Sequence, residues 1–330
     1  MNDLRFYLFC LLIGIASGLF SQWANRTEAQ LKGPVKWISL QQYQLIEQHD
    51  PTYSIKPLPS DSFWHKQTPD YQYEFNRKGA TKRCIQIDIP TNDVYETRFV
   101  YNRANQLSKK IFFADQKEQG SIGYTYDKQG ALTCETLVTQ DKTEATRHLR
   151  APHPQYPNQS NKTIIWVYHY DSDYTCKEQF CLLPNKQDNY RNLFFYNESG
   201  HIQQIATFDA NNCLIYTKGI KYNTNGDIKK ISMIHKNYFR IEQYRYDRHH
   251  NIVQTLSEEI TFEADLLGTM YPIYNLQKEL LASLKKQRAQ KRIRTNYIYL
   301  FDKHKNWIER RVYLNNRPYF MQKRQISYWR

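Results

Sequence analysis

A nine-residue motif that recurs roughly every 25 residues constrains the fold of this chain more than any other feature of its sequence. Its eight copies read YEFNRKGAT, FVYNRANQL, YTYDKQGAL, YHYDSDYTC, FFYNESGHI, IKYNTNGDI, YRYDRHHNI and YLFDKHKNW. Every copy is anchored on one Asp or Asn, and these anchors are Asn76, Asn102, Asp127, Asp171, Asn197, Asn223, Asp247 and Asp302. A repeat at such a period defines the architecture.

Each copy predicts a strand, a tight turn and a returning strand. The residues one and three positions before the anchor are aromatic in every copy except at Ile220, so they lie on one face of a strand. Asp and Asn suit the first position of a type I turn. Four copies have glycine three positions after the anchor, at Gly79, Gly130, Gly200 and Gly226. Glycine there supplies the left-handed residue that a three-residue hairpin loop requires.

Two strands per copy predict a mainly β fold: a curved antiparallel meander of about eight β-hairpin repeats. The composition agrees, because 27 Tyr and 16 Phe stand against only 4 Met, and aromatic side chains favour pleated faces. In the returning strand that begins at Ile202, the next apolar residue is Ile205, three positions later, whereas a regular strand repeats every two. This slip predicts a β-bulge, which adds curvature.

The pattern resembles the YD-repeat (RHS-repeat) family of bacterial surface and toxin proteins, whose β-hairpin repeats wind into curved sheets or shells. The resemblance spans roughly residues 70 to 325 and rests on the run Tyr/Phe-x-Tyr/Phe-Asp/Asn-x-x-Gly. Four copies depart from it, with Asn105, Tyr174, His250 and Lys305 in place of glycine. The resemblance implies a fold and carries over no catalytic residue.

Two insertions interrupt the repeats. The first, residues 140–163, is polar and contains Pro152, Pro154 and Pro157, which predicts a surface loop. It is either a recognition loop on a rigid scaffold or a tolerated insertion. The second, residues 256–296, contains a stretch with Ile273 and Leu276 at helical spacing, which predicts a helix docked on the sheet.

The second insertion is also the most basic part of the chain. We predict a partner-binding surface on its outward face, formed by Lys285, Lys286, Arg288, Lys291, Arg292 and Arg294. The alternative is a docked helix whose charged face is merely solvated.

The N-terminal part predicts export. Residues 1–21 contain Arg5 followed by an apolar run that is short for a membrane span, so they are a signal peptide or an uncleaved anchor. Residues 22–70 are predicted to form a short helix, with Ser39 and Gln42 at capping-box spacing, and then a loop over residues 50–70. Residues 71–330 form the repeat domain.

The sequence has no recognisable catalytic or nucleotide-binding motif. Cys176 and Cys181 are predicted to lie on opposite faces of a strand, and their spacing with His169 matches no usual zinc site. The Asp anchors are separated along the sheet, so turn stabilisation explains them better than calcium binding. We therefore expect no metal, no cofactor and no enzymatic activity; a hydrolase with an unrecognised site is the weakest alternative.

The net charge of +14 and the pI of about 9.3 either reflect Lys and Arg spread over exposed strand faces or indicate an acidic partner. The expected function is an exported binding protein of a bacterial envelope, in the periplasm or at the cell surface, that neutralises or chaperones a partner protein, as an immunity protein does to a secreted toxin. The alternative is a module that binds anionic glycan or membrane. Nucleic acid is not an expected partner.

Overall fold

The structure is a computed structural model, and it describes residues 31, 34–47, 53–57, 70–88, 93–139, 163–183, 189–235, 238–261 and 291–329. These residues form nineteen β-strands and contain no helix. In chain order the strands are β1 Val35–Glu47, β2 Tyr53–Pro57, β3 Asp70–Phe75, β4 Thr81–Asp88, β5 Asp93–Tyr101, β6 Leu107–Ala114, β7 Lys117–Tyr126, β8 Leu132–Thr139, β9 Thr163–Tyr170, β10 Cys176–Leu182, β11 Tyr190–Tyr196, β12 Ile202–Asp209, β13 Leu214–Tyr222, β14 Ile228–His235, β15 Tyr238–Tyr246, β16 Ile252–Thr261, β17 Lys291–Phe301, β18 Trp307–Leu314 and β19 Arg317–Tyr328.

The fold is mainly β, and successive strands pair antiparallel as a meander, which confirms the predicted class. Contacts divide the chain into two compact units. Unit 1 comprises residues 1–167, 299–311 and 319–330, and unit 2 comprises residues 168–298 and 312–318.

One turn geometry recurs at the anchors. At Asp127, the backbone N–H donates to the carbonyl of Ala131 over 2.9 Å, and the N–H of Gly130 donates to the Asp127 carbonyl over 3.1 Å. The Asp127 carboxylate accepts the N–H groups of Gln129 and Ala131. Asp or Asn is suited to this position because one side-chain oxygen satisfies both turn donors. The same backbone pattern occurs at the other seven anchors and also at Asp209.

The residue three positions after the anchor is left-handed whether or not it is glycine. Gly130 has φ +87°, and the non-glycine residues at this position, Asn105, Tyr174, His250 and Lys305, have φ between 56° and 64°. Side chains other than glycine adopt this conformation at some cost. The four departures from the YD motif therefore change the residue and keep the turn.

The tyrosine immediately before the anchor links neighbouring repeats. The Tyr246 hydroxyl donates to the carbonyl of Ile228 over 2.8 Å, and Tyr222 donates to Ile202 over the same distance. The accepting residue stands five positions after the preceding anchor, at the start of the returning strand. Tyr101, Tyr126 and Tyr196 donate in the same way to the preceding repeat. This contact explains why tyrosine, rather than phenylalanine, dominates the position.

Six of the eight returning strands show the predicted bulge. Tyr196 pairs with Ile202, whereas Phe195 pairs with Gln204, so one residue of β12 has no opposite partner in β11. Register shifts of the same kind occur beside Phe75, Tyr101, Tyr126, Tyr222 and Tyr246. The bulge explains why Ile202 and Ile205 are three residues apart.

The face that bears the aromatic residues, which we call the ladder face, forms most of the core of each unit. In unit 1, Leu137 is 0% exposed and Ile164 is 1% exposed, and they pair across β8 and β9. In unit 2, Tyr216 and Met233 are buried on this face.

The structure corrects three predictions about secondary structure. The predicted helix that included Ser39 and Gln42 is strand β1, which pairs with both β3 and β19. Ile38 lies opposite Tyr73 and Ile326, so sheet pairing overrides the local capping signal. Within the predicted loop of residues 50–70, residues 53–57 form β2, paired with β1.

The third correction concerns the second insertion. Residues 256–261 belong to β16 and residues 291–296 to β17, which pair with each other, so neither stretch is helical. Residues 262–290 lie outside the described residues. So do residues 1–30, which include the predicted export segment, and residues 140–162 of the first insertion.

Replacing Gly130 with Val is expected to lower the free energy of unfolding by about 2 kcal/mol or more, because a β-branched residue is strained at φ +87°. A Cβ at this position would also stand 3.0 Å from Gln106 Nε2. Gly130→Asn is the matched control and should cost under about 1 kcal/mol, since Asn105 occupies the equivalent position. Urea unfolding measures both; equal losses for Val and Asn would contradict the turn argument.

Candidate functional site

The six basic residues that the sequence predicts to bind a partner fall into two groups. Lys285, Lys286 and Arg288 lie outside the described residues. Lys291, Arg292 and Arg294 lie in β17, where the register sets them opposite Glu259, Glu258 and Leu256 of β16. The structure therefore places half of the set on a strand, with acidic neighbours that the helical interpretation did not include.

Ion pairs engage two of these three cations. Lys291 Nζ lies 3.8 Å from Glu259 Oε2, and Arg292 Nε lies 3.2 Å from Glu258 Oε1. Arg294 is exposed; its backbone N–H donates to Asn315 Oδ1 over 2.9 Å, and its carbonyl accepts the Asn315 N–H over 2.7 Å. These two backbone bonds hold this part of β17 against the turn between β18 and β19.

The outward face of β17 within unit 2 combines charge with apolar surface. Arg292, Arg294 and Ile298 project from the same side of the strand, and Ile298 is 55% exposed. Between them, Asn296 accepts from Gln254 over 2.8 Å and donates to Asn316 Oδ1 over 3.0 Å. The hydrogen bonds fix the backbone and the middle of the strip, whereas Arg294 and Ile298 remain exposed to a partner.

A group of buried ionisable side chains on the ladder face of unit 2 was not predicted. Lys218, Arg240 and Glu242 lie on β13 and β15, on either side of β14, because Lys218 pairs with Met233 and Met233 pairs with Arg240. Lys218 is 8% exposed and Glu242 is 4% exposed. Glu242 forms an ion pair with Arg240 and accepts a hydrogen bond from the Tyr244 hydroxyl. We call these four residues the charged cluster.

Burial changes the protonation equilibria of the charged cluster. Desolvation lowers the pKa of Lys218, and the negative charge of Glu242 opposes that shift. Desolvation also raises the pKa of Tyr244 and of the neighbouring Tyr216, again with a contribution from Glu242. Arg240 Nη1 lies 3.6 Å from Glu259 Oε1, so the cluster continues to β16. The arrangement pairs Arg240 with two carboxylates and places Lys218 within electrostatic range of Glu242.

A neutral hydrogen-bond chain continues along the same face. Gln179 Nε2 donates to the Tyr168 hydroxyl over 2.8 Å, Asn192 Nδ2 donates to Gln179 Oε1 over 2.8 Å, and Thr207 Oγ1 donates to Asn192 Oδ1 over 2.6 Å. Gln179, Asn192 and Thr207 are all buried. Their polar groups are therefore satisfied by one another, as buried polar groups require.

The sequence contained a signal for the charged cluster. Counting back by two from Tyr246 gives Tyr244, Glu242 and Arg240 on one face, and counting back from Tyr222 gives Lys218. The aromatic pair of each repeat marks this face in the sequence, and the same period of two extends it to the charged residues. The pairing of β13, β14 and β15 then brings these residues together.

The thiols do not form a disulfide or a metal site. None of Cys84, Cys134, Cys176, Cys181 and Cys213 is in a disulfide. Cys176 and Cys181 are both buried, at 2% and 0% exposure, and the buried positions along β10 are three and then two residues apart. That the two thiols lie on opposite faces stays a prediction. Burial raises the pKa of each thiol to about 12, which keeps it protonated and unreactive.

His169, Cys176 and Cys181 do not form a metal site. His169 lies against Glu178, at 3.7 Å, and against the Phe180 ring, at 5.0 Å between centroids. Across the part of the chain that the structure describes, no three or more His, Cys, Asp or Glu side chains are grouped to hold a metal ion.

The anchors hold their carboxylates within their own turns. The N–H of Thr175, followed by Lys177, lowers the pKa of Asp171, and Lys177 Nζ lies 3.0 Å from Asp171 Oδ2. The Asp227 carboxylate contacts His250 Nδ1 of the next turn at 2.9 Å. The contact between Asp227 and His250 joins one turn to its neighbour.

No family model matches the chain, and no curated protein matches it. Among solved structures, a porin-like protein from Bacteroides uniformis is similar at a TM-score of 0.39 and 10% identity, over 90% of this chain and 99% of that one. A porin-like protein from Bacteroides vulgatus is similar at a TM-score of 0.35 and 10% identity, over 72% and 95% of the two chains.

A third solved structure is similar to the chain at a still lower TM-score. A TcdB2-TccC3-Cdc42 structure, which contains an RHS/YD-repeat toxin complex, is similar at a TM-score of 0.28 and 14% identity, over 84% of this chain but 12% of that one. At these values the neighbours assign neither a family nor a function. The described residues include no helix of the length and apolar character that a bilayer crossing needs.

Proposed function

We propose that this chain is an exported, non-enzymatic binding protein of a bacterial envelope, which binds a partner protein and neutralises or chaperones it. The outward face of β17 carries the proposal. Arg294 and Ile298 are exposed on a strand whose backbone is fixed by hydrogen bonds on both sides, whereas the charged cluster is engaged internally.

The chemistry of this strip indicates the partner. Arginine and apolar side chains are enriched where protein interfaces concentrate their binding energy, and a rigid strand presents them with little entropy to lose. The adjoining segment contributes Lys285, Lys286 and Arg288 by sequence. The fitting partner is a protein with an acidic surface around an apolar centre, such as a secreted toxin.

Capture from an envelope extract tests the proposal. The chain should retain one protein in stoichiometric amount, and a gene for that protein or for a secretion system should stand next to the gene for this chain. Recovery of no stoichiometric protein, together with no such neighbour across genomes, would contradict partner binding.

Replacing all six predicted cations with Gln should weaken binding of the captured protein at least tenfold, as measured by calorimetry. The six residues are Lys285, Lys286, Arg288, Lys291, Arg292 and Arg294. The control variant loses the same formal charge through six Gln at exposed cations elsewhere, at Lys109, Lys117, Lys221, Lys229, Arg245 and Arg248. Equal weakening in both variants would show that net charge, and not this surface, attracts the partner.

A second candidate function, binding of anionic glycan or membrane, is favoured by the net charge of +14. Its signature is binding to envelope polymer or vesicles that disappears with salt. A partner protein retained at high salt favours the first function instead.

A further inference from the structure

Four neighbouring turns of unit 1 carry an array of cations that neither candidate surface above includes. The three residues after each of the anchors Asn76, Asn102, Asp127 and Asp302 form the tip of a turn. Six of these twelve tip residues are basic and none is acidic: Arg77, Lys78, Arg103, Lys128, Lys303 and Lys305. We call them the basic tips.

The turns do not use these side chains. The turn at Asn76 is held by its own side chain, which accepts the N–H groups of Lys78 and Ala80, and by backbone bonds. All six basic tips are exposed. Among the residues of unit 1 that the structure describes, the ion pairs involve other side chains, including Lys82 with Glu74 and Arg98 with Glu96. The tip cations are therefore available for binding from outside.

The basic tips share one end of the sheet of unit 1. The turns at Asn76, Asn102 and Asp127 join consecutive hairpins, because β4 pairs with β5 and β6 pairs with β7, so neighbouring turns stand two strands apart, or about 10 Å. The Asp302 turn belongs to the same end: Tyr328 donates to the Asp302 carboxylate, and the next residue, Trp329, lies 5.6 Å from the Arg77 guanidinium.

Unit 2 has the same turns and lacks the charge. Its tips after Asp171, Asn197, Asn223 and Asp247 contain one basic residue, Arg248, against two acidic ones, Asp173 and Glu198. With the anchor carboxylates included, the four turns of unit 1 carry six cations and two anions, or +4, and those of unit 2 carry one cation and four anions, or −3. Because the turn geometry is common to both, the fold does not demand the cations.

We infer that the basic tips form a docking surface for the anionic headgroups of a membrane leaflet. Turns of one length, set in one register along a sheet, present their charges in a row at similar height, which suits a plane of negative charge. The twelve tip residues include no large apolar side chain and four of the six cations are lysine. Protein interfaces deplete lysine at their centres, so the composition favours lipid over a protein partner.

Two further features agree with a membrane surface. Trp329 stands beside the array, between Arg77 and Lys36, whose Nζ is 5.1 Å from its ring, and tryptophan is favoured at the headgroup level. The apolar run of residues 6–20 is the predicted signal peptide or anchor. If it is retained, the basic tips supply the second of the two signals that stable attachment requires.

The experiment is co-sedimentation of the full chain with vesicles of phosphatidylcholine alone and with 30% phosphatidylglycerol. Each Lys or Arg near an anionic leaflet strengthens binding about fivefold. Gln at all six basic tips should therefore weaken binding to the anionic vesicles by a factor on the order of 100 or more. The six-Gln control at Lys109, Lys117, Lys221, Lys229, Arg245 and Arg248 should change it less than about threefold. Binding of the unmodified chain should vanish in 1 M salt.

Three results would overturn the inference: equal binding of the unmodified chain to neutral and anionic vesicles, unchanged anionic binding in the tip variant, or loss of a captured protein in the tip variant with vesicle binding intact. Because Arg77 contacts Trp329, a five-Gln variant that keeps Arg77 is measured alongside and should still lose most of the binding. The six cations of the proposed partner surface are untouched, so failure of partner capture and failure of membrane binding are separate outcomes.

Discussion

Glu242→Gln should lower the free energy of unfolding by about 3–5 kcal/mol, the cost of leaving buried charges without their partner. Glu242 is 4% exposed, forms an ion pair with Arg240 and accepts the Tyr244 hydroxyl. Its charge also offsets part of the desolvation of Lys218. Glutamine preserves the volume and one acceptor, so the loss reports the missing charge. Urea unfolding followed by circular dichroism measures it.

Lys218→Met separates the charge from the packing. Methionine fills a similar volume without an ammonium to desolvate, so this variant should be neutral or more stable than the unmodified chain. Combined with Glu242→Gln, it should recover part of the loss, because Arg240 then remains with Glu259 at 3.6 Å. A loss below about 1 kcal/mol for Glu242→Gln would show that water, and not Glu242, compensates these cations.

The same cluster makes stability depend on pH. The pKa of Lys218 is lowered in the folded chain, whereas its ordinary value is 10.5. Between the folded and unfolded pKa values, only the unfolded chain binds the proton, so the free energy of unfolding rises with pH in that window. Below the folded pKa, Lys218 is charged in both states, and the folded chain bears the full cost of burying that charge. The advantage of Lys218→Met should therefore shrink as the pH rises from the lowered pKa of Lys218 towards 10.5. In Glu242→Gln the pKa of Lys218 falls further, and the rise begins at lower pH.

The sequence predicted the repeat unit well because each of its requirements is local. The Asp127 carboxylate, the left-handed Gly130 and the tyrosine at position 126 act within or next to one turn. The bulge was also visible, as the three-residue gap between Ile202 and Ile205. The meander follows from repeating that unit, since consecutive hairpins pair with their neighbours.

Pairings between distant parts of the chain could not be predicted in this way. Ser39 and Gln42 have a capping-box spacing, but β1 is held by β19, which lies almost 280 residues away in the sequence. The sequence pattern before Lys291 predicts a helix, yet Lys291 itself lies in a strand opposite Glu259. The charged cluster depends on three strands in register. In each of these cases tertiary pairing, rather than local propensity, decides the structure.

Leu137→Ala should lower the free energy of unfolding by about 2–5 kcal/mol, because the side chain is 0% exposed and its removal leaves a cavity. Leu137 lies opposite Ile122 of β7 and Ile164 of β9, which are themselves buried, so the surrounding strands have little freedom to collapse into the space. Urea unfolding of the variant and of the unmodified chain measures the difference.

The adjacent residue is the matched control. Val138 is 48% exposed on the opposite side of the same strand, so Val138→Ala should stay within about 0.5 kcal/mol of the unmodified chain. Both residues are apolar, and the run Leu137-Val138 alone does not show which of them is inside. Tyr124 and Tyr126 show which side of β7 is the ladder face. The register between β7 and β8 then places Leu137 on the same face. A larger loss at Val138 than at Leu137 would mean that this register is wrong by one residue, because such a slip exchanges the two faces of the strand.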